Sequence, residues 1–350
     1  AWIHKNFGED AAIVCLMSGN YVQRGEPAVF DKFVRAQAAI CCGANLVLEL
    51  PLTKAIHSAE GFAMGGVDIF NRLGEVKYLC FGSETGQIAP LWQTATLLQS
   101  ETFSHKLQEL LPSGLSFPAA RQKALEAMGE KGDTLTRPND ILAVEYCKAL
   151  LRTNSTIEPL TISRPGDYHA ETPNRENPSA TAVRKAILQC QGDWKACTPE
   201  AVWELYSKAA RYDFASGERA FLARLRSMSD AEFAALPFSS EGLWNKVKTA
   251  CRTQSTLEEI LQAAKSKRYP YSRLKRMLLC AYLGITQEHM DKEVPYVRIL
   301  GFDGTGRKLL RKFRNTGEIP LINAEADCPD KDYQSLEIRA ANLFTLFAQE

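Results

Sequence analysis

The stretch AAIVCLMSGNYVQRGEPAVF, residues 11–30, decides how the rest of the chain is read. Its opening, Ala11 to Leu16, is an apolar, partly β-branched run of the kind that forms a buried strand. Such a strand needs only a short polar turn to leave the core. Here it runs into Ser18-Gly19-Asn20 and then Arg24-Gly25-Glu26-Pro27 before a helical pattern begins at Phe30. Donors, charges and permissive glycines at the carboxyl end of one strand are what a ligand-binding loop requires.

Further strand-like runs follow at 45–50 (NLVLEL) and 76–81 (VKYLCF), with helical patterns at 30–42 and 55–73 between them. Strands that are apolar on both faces and alternate with helices predict a Rossmann-like parallel α/β sheet. The three strands end in Ser18-Gly19-Asn20, Glu49-Leu50-Pro51 and Gly82-Ser83-Glu84, which together predict a cleft beyond their carboxyl ends. A helix tail at 2–6 precedes the first of them. Residues 91–151 read as helical, and Pro138-Asn139-Asp140 opens the last of these helices with Asn139 or Asp140 as N-cap. One more strand is expected at 156–162. Beyond about residue 200 helical segments dominate through 283, and YVRILG at 296–301 predicts a short strand. The expected organisation is an α/β domain over 1–195 and a mostly α-helical domain over 196–350.

With 350 residues the chain can bury two sizeable cores, and its 45% hydrophobic and 24% charged content is that of an ordinary globular protein. A formal net charge of +1 leaves the question of a nucleic-acid partner to local clustering. No apolar run has the length to cross a bilayer. The 10 cysteines are scattered without a Cys-x-x-Cys, and the five histidines are dispersed, so no metal centre of familiar spacing is expected. Buried thiols in a reducing, cytoplasmic compartment are the expectation.

Ser179-x-Thr181-x-x-Arg184 is the most pointed motif. At a helix N-terminus two hydroxyls and the first amides can surround a phosphate, and Arg184 can add a forked donor. The bland alternative is an N-cap followed by a surface arginine. In the loop 163–169, Arg164 is placed to stack on a base or hold a phosphate, and His169 to act as acid or donor; a plain solvent loop is the alternative. Gly82 permits close approach of a ligand to the backbone, or is a turn glycine. Asn139 is a base or ribose contact, or a helix cap. Lys265, Lys267, Arg268, Tyr269, Arg273, Lys275 and Arg276 mix cations and an aromatic without an acid, as RNA-binding surfaces do. A second basic group lies at Arg307-Lys308, Arg311-Lys312 and Arg314.

MSGNYVQRGEPAVFDK, NLVLELP, CFGSE, RPNDIL, SATAVRKAI and KSKRYPYSRLKR, in this order, resemble the bacterial tRNA(Met) cytidine acetate ligases over nearly the whole chain. The resemblance implies a nucleotidyltransferase-like α/β domain followed by a mostly helical tRNA-binding region. It implies an enzyme that uses ATP, with Mg2+, to activate acetate as acetyl-adenylate. The acetyl group then passes to the wobble cytidine of elongator tRNA(Met), giving N4-acetylcytidine. The ATP contacts it implies fall on Gly82, Asn139 and Arg164, with Ser179, Thr181 and Arg184 as the phosphate motif. The superfamily's His-x-Gly-His motif, at the end of its first strand, has no counterpart in this sequence. The resemblance therefore implies that a strand and half of the ATP site precede residue 1, and no catalytic residue is assigned. Two alternatives stand beside the ligase: an adenylyltransferase acting on a small molecule, and an RNA-binding protein with an inactive α/β domain.

Overall fold

The computed structural model describes residues 2–113, 115, 117–130, 132–164, 179–189, 194–239, 242–266 and 269–349. Strand β1 (Val14–Ser18) leads into a small hairpin of β2 (Tyr21–Val22) and β3 (Glu26–Pro27), then helix α1 (Lys32–Cys41) and strand β4 (Leu46–Leu50). Helix α2 (Ala59–Leu73), strand β5 (Tyr78–Ser83), helix α3 (Pro138–Arg152) and strand β6 (Glu158–Ser163) follow. Next come helix α4 (Ala180–Leu188), which carries Thr181 and Arg184, and a run of helices that includes α5 (Tyr271–Leu283). The chain then adds strand β7 (Val297–Phe302), helix α6 (Gly304–Thr316), strand β8 (Leu321–Ile322) and helix α7 (Lys331–Phe344).

β1 and β4 pair in parallel from Val14↔Leu46 to Ser18↔Leu50, and β5 and β6 from Tyr78↔Glu158 to Ser83↔Ser163. These crossovers through helices are the α/β pattern read in the sequence. Every residue of β4 is buried. Leu46, Leu48 and Leu50 face a core with Val67, Ile69 and Leu73 of α2, whereas Val47 packs with Ala36 of α1 on the other side. Alternation on a strand covered on both faces explains why NLVLEL is apolar nearly throughout. Each buried leucine contributes about 2 kcal/mol.

The YVRILG segment does form a strand, but its place was not legible. β7 lies C-terminal to residue 195 yet pairs antiparallel with β4, Leu46 opposite Phe302 and Leu48 opposite Ile299. The larger sheet therefore has the order β1-β4-β7-β8 and is mixed. Val297 and Ile299, with Leu310 and Phe313 of α6, enter the same core as β4. A six-residue apolar run carries no information about its partner; the hydrophobic face of β4 supplies that.

The largest buried cluster is helical and joins Phe221, Phe233, Val247, Ile260, Leu274, Leu278, Tyr282 and Phe347. Tyr21, from the opening loop, inserts into it, donates to the Ala340 carbonyl at 3.1 Å and lies edge-on to Phe344 and Phe347. The loop after β1 is thus a peg between the sheet and the helical region. Among the described thiols, Cys147, Cys251, Cys280 and Cys328 are buried as expected, but Cys41 and Cys42 are exposed at the end of α1.

Candidate nucleotide site and basic surfaces

The β5–β6 pair carries the first two candidate residues. Gly82 is not in a turn after the strand; it lies within β5 and pairs with Ile162. Arg164 follows β6, donates its backbone N–H to the Ser83 carbonyl at 2.8 Å, and lays its side chain across Gly82. A Cβ at position 82 would stand 2.4 Å from Arg164 Cδ and 2.9 Å from Cγ, so only glycine leaves room for this arginine. The two residues, 82 positions apart in sequence, form one feature.

The RPND segment carries the next candidate. Neither Asn139 nor Asp140 is the N-cap of α3; Arg137 holds that position and Pro138 begins the helix. Proline suits that first turn because its missing N–H is not needed there. The amides are instead received by Glu84, whose Oε1 accepts from Asn139 N at 3.1 Å and Nδ2 at 2.7 Å, while Oε2 accepts from Asp140 N at 2.7 Å. Asp140 is fully buried and accepts from Thr85 N at 3.0 Å and Thr85 Oγ1 at 2.6 Å, with Arg137 ion-paired at 2.9 Å. The loop after β5 and the start of α3 are therefore clamped by carboxylates. In the sequence Glu84 is only part of a strand ending; its spacing from a helix N-terminus more than fifty residues away carries no local signal.

At the start of α4, Ser179 is the N-cap and accepts from Ala182 N at 3.0 Å. Two guanidinium groups converge on Thr181 Oγ1, Arg24 at 3.0 Å and Arg184 at 3.5 Å. The opening loop and the phosphate motif thus meet. Beneath them Arg35 donates to the Ser18 and Gly19 carbonyls at 2.9 and 2.7 Å. Burial lowers the Arg35 pKa, Tyr206 and Glu49 oppose that shift, and Arg184 adds to it. Cations gathered at a helix N-terminus attract a polyanion. His169 lies outside the described residues.

Beside Gly19 lies a buried charge network that joins residues distant in sequence. Glu49, 7% exposed, pairs with Lys32 at 2.8 Å, and Arg298 lies 3.7 Å from Glu49 and 3.5 Å from Glu337, which accepts from Tyr296 Oη at 2.7 Å. Burial and Glu49 raise the Glu337 pKa, with Tyr296, Lys32 and Arg298 opposing. The available signal was the single acid within NLVLEL, since a charge in a buried strand needs partners.

The basic tract divides. Lys265 is exposed, with Nζ 4.8 Å above the Tyr271 ring. Tyr269, expected to stack on bases, is instead 9% exposed within the helical core and covered by Arg273 at 5.3 Å. Arg273 also donates to the Phe238 carbonyl at 3.0 Å. Lys275 is ion-paired with Glu26 of the opening hairpin. Arg276 packs 5.4 Å from the Phe238 ring, and burial foremost pushes its pKa down to about 10. Lys267 and Arg268 lie outside the described residues. Arg276 is turned inward because residues 274, 277 and 278 must face the core, which sets the rotation of α5, while Tyr269 enters the same core just ahead of that helix. On α6, by contrast, Arg307, Lys308, Arg311, Lys312 and Arg314 are all exposed, since Leu310 and Phe313 hold the opposite side on the core.

The class of the chain is that of the nucleotidyltransferases, because the model of the HIGH Nucleotidyl Transferase family matches residues 3–350. Within that class the chain belongs to the tRNA(Met) cytidine acetate ligase family. The Clostridium acetobutylicum tRNA(Met) cytidine acetate ligase is 34% identical, over 98% of this chain and 90% of that protein. That of Acetivibrio thermocellus is 36% identical over 95% and 87%. The crystal structure of apo TmcAL from Thermotoga maritima superposes with a TM-score of 0.91 at 30% identity, covering 99% of this chain and 90% of that one. The same protein bound with alpha-thio ATP gives 0.89 at 29% identity, again over 99% and 90%.

Proposed function

We propose that this chain is an ATP-dependent ligase that activates acetate and acetylates the wobble cytidine of elongator tRNA(Met) to N4-acetylcytidine. The observation that carries the reading is the convergence of Arg24 and Arg184 on Thr181 at a helix N-terminus. It is an anion site built from the same motifs that identify the family.

In this reading Ser179, Thr181, Arg184 and Arg24 hold the phosphates, Arg164 lies over Gly82 against the nucleotide, and Asn139 meets the base or ribose. An acetate oxygen attacks the α-phosphorus, the bond to the bridging oxygen breaks, and pyrophosphate leaves. The arginines neutralise charge that builds on the phosphate oxygens and hold attacking and leaving groups in line. The cytidine amine then attacks the acetyl carbonyl and AMP departs. The described residues include no group of three or more His, Cys, Asp or Glu side chains suited to a metal ion. Mg2+ bound with the nucleotide would neutralise charge on the phosphate oxygens.

Nucleotide chemistry in residues 1–195 and RNA contact in 196–350 is the proposed division, with β7 and α6 completing the sheet's core from the second part. For RNA, Lys265 and the cations of α6 are the exposed candidates, and Lys275 and Arg273 join them only where their protein partners release them. No described helix is long and apolar enough to cross a membrane. A tRNA substrate places the enzyme in the cytoplasm. Incubation with tRNA, ATP and labelled acetate, followed by digestion to nucleosides, tests the reading. Labelled N4-acetylcytidine is expected. Acetate-dependent pyrophosphate exchange without labelled nucleoside would favour a small-molecule acceptor, and neither would leave an RNA-binding protein.

A further inference from the structure

The side-chain amide of Asn139 has two ends with opposite chemistry, and what fixes which end meets a ligand is not in the RPND motif. Glu84 Oε1 receives Asn139 Nδ2 at 2.7 Å and the Asn139 backbone N–H at 3.1 Å, while Oε2 receives Asp140 N at 2.7 Å. An ionised carboxylate only accepts hydrogen bonds, so the amide end against it must be the nitrogen. Glu84 is itself held in place by the two backbone N–H groups of the first turn of α3, where the helix dipole favours a negative charge. The amide of Asn139 cannot turn over without setting its carbonyl against the carboxylate. No protein donor among the described residues reaches Asn139 Oδ1.

We propose that Glu84 is a positioning residue that makes Asn139 a hydrogen-bond acceptor toward the nucleotide, so that the site selects a ligand group carrying a donor. This rests on the reading of Asn139 as a nucleotide contact. The matching donors on ATP are the exocyclic amine of adenine and the ribose hydroxyls. A carbonyl at the amine's position, as in inosine, would face Oδ1 lone pair to lone pair.

The test measures dissociation constants for ATP, ITP, 2′-deoxy-ATP and 3′-deoxy-ATP by calorimetry, on the wild-type chain and on Glu84→Gln, Glu84→Asp and Asn139→Ala. Glutamine carries a donor, which lets the Asn139 amide turn over. The wild type is expected to prefer ATP over ITP if the amine is the partner, or over one deoxy analogue if a hydroxyl is. Glu84→Gln is expected to shrink that one preference by about tenfold, one hydrogen bond's worth. Glu84→Asp keeps an acceptor-only group and is expected to retain the preference with weaker binding overall. Unchanged preferences in Glu84→Gln, with binding weakened in Asn139→Ala, would overturn the positioning role alone. Unchanged binding of all four nucleotides in Asn139→Ala would overturn the nucleotide contact and the proposal with it. Should Glu84→Gln fail to fold, lost selectivity in a folded Glu84→Asp overturns the inference.

Discussion

Replacing Gly82 with alanine separates the cost to folding from the cost to the site. The backbone at Gly82 is not in the left-handed region, so an L residue fits the strand. In a strand interior alanine loses less conformational freedom than glycine, a gain of about 0.5 kcal/mol. The new Cβ would stand 2.4 Å from Arg164 Cδ, far inside contact distance, and the flexible arginine must swing away. Stability is therefore expected to hold within about 0.5 kcal/mol. Nucleotide affinity is not, because a charged hydrogen bond lost from the site costs about 1.5–3 kcal/mol. That is a loss of roughly 10- to 150-fold in ATP affinity. The assay pairs calorimetric ATP binding and acetate-dependent ATP–pyrophosphate exchange with thermal melting, on Gly82→Ala and Arg164→Ala. The two variants should lose affinity to a similar degree and melt like the wild type. Unaltered ATP binding in Gly82→Ala beside a clear loss in Arg164→Ala would refute the coupling of the two positions. Normal binding in both would remove these two positions from the nucleotide site.

Other perturbations separate local from long-range effects. Gly25, with φ +78°, would bring a Cβ within 2.7 Å of the backbone of Lys275 and Arg276. Gly25→Ala should destabilise by about 2–3 kcal/mol, against about 1 kcal/mol for Gly43→Ala, where φ is +99° but no atom lies within 4 Å. Equal losses on urea denaturation would show that the hairpin does not press on α5. Burial foremost, with Lys54 and Arg276 nearby, lowers the His57 pKa to about 4. Native His57 thus stays neutral while the unfolded chain takes up a proton below about pH 6.5, so stability falls as pH drops from 6.5 to about 4. The loss is about 1–2 kcal/mol once partial solvent exposure is allowed for, and His57→Asn should flatten it. A triple Arg307→Ala, Arg311→Ala, Arg314→Ala variant should lower the salt dependence of tRNA binding by about 2–3 in log–log slope while pyrophosphate exchange stays intact. An unchanged slope would move RNA off α6.

Local chemistry was legible from residues alone. NLVLEL is apolar on both faces and could only be a covered strand; Ser179 before Ala180 is a cap wherever the helix goes; the polar run after β1 announced a loop with work to do. The identities in MSGNYVQRGEPAVF and SATAVRKAI also carried the family resemblance, because long unusual strings seldom arise by chance. What stayed hidden were relations between distant segments. The antiparallel entry of β7 beside β4, Arg164 folded over Gly82, Glu84 on the first turn of α3, and Arg24 on Thr181 all join residues with no periodicity between them. The basic tract shows the same division. Its charge was plain in one dimension, but the rotation of α5, set by which leucines and methionine must be buried, turned Arg276 inward, Tyr269 entered the core ahead of that helix, and α6 was left as the exposed cationic face. Sequence determines what each side chain can do; burial, acting on whole faces at once, decided which of them are placed to do it.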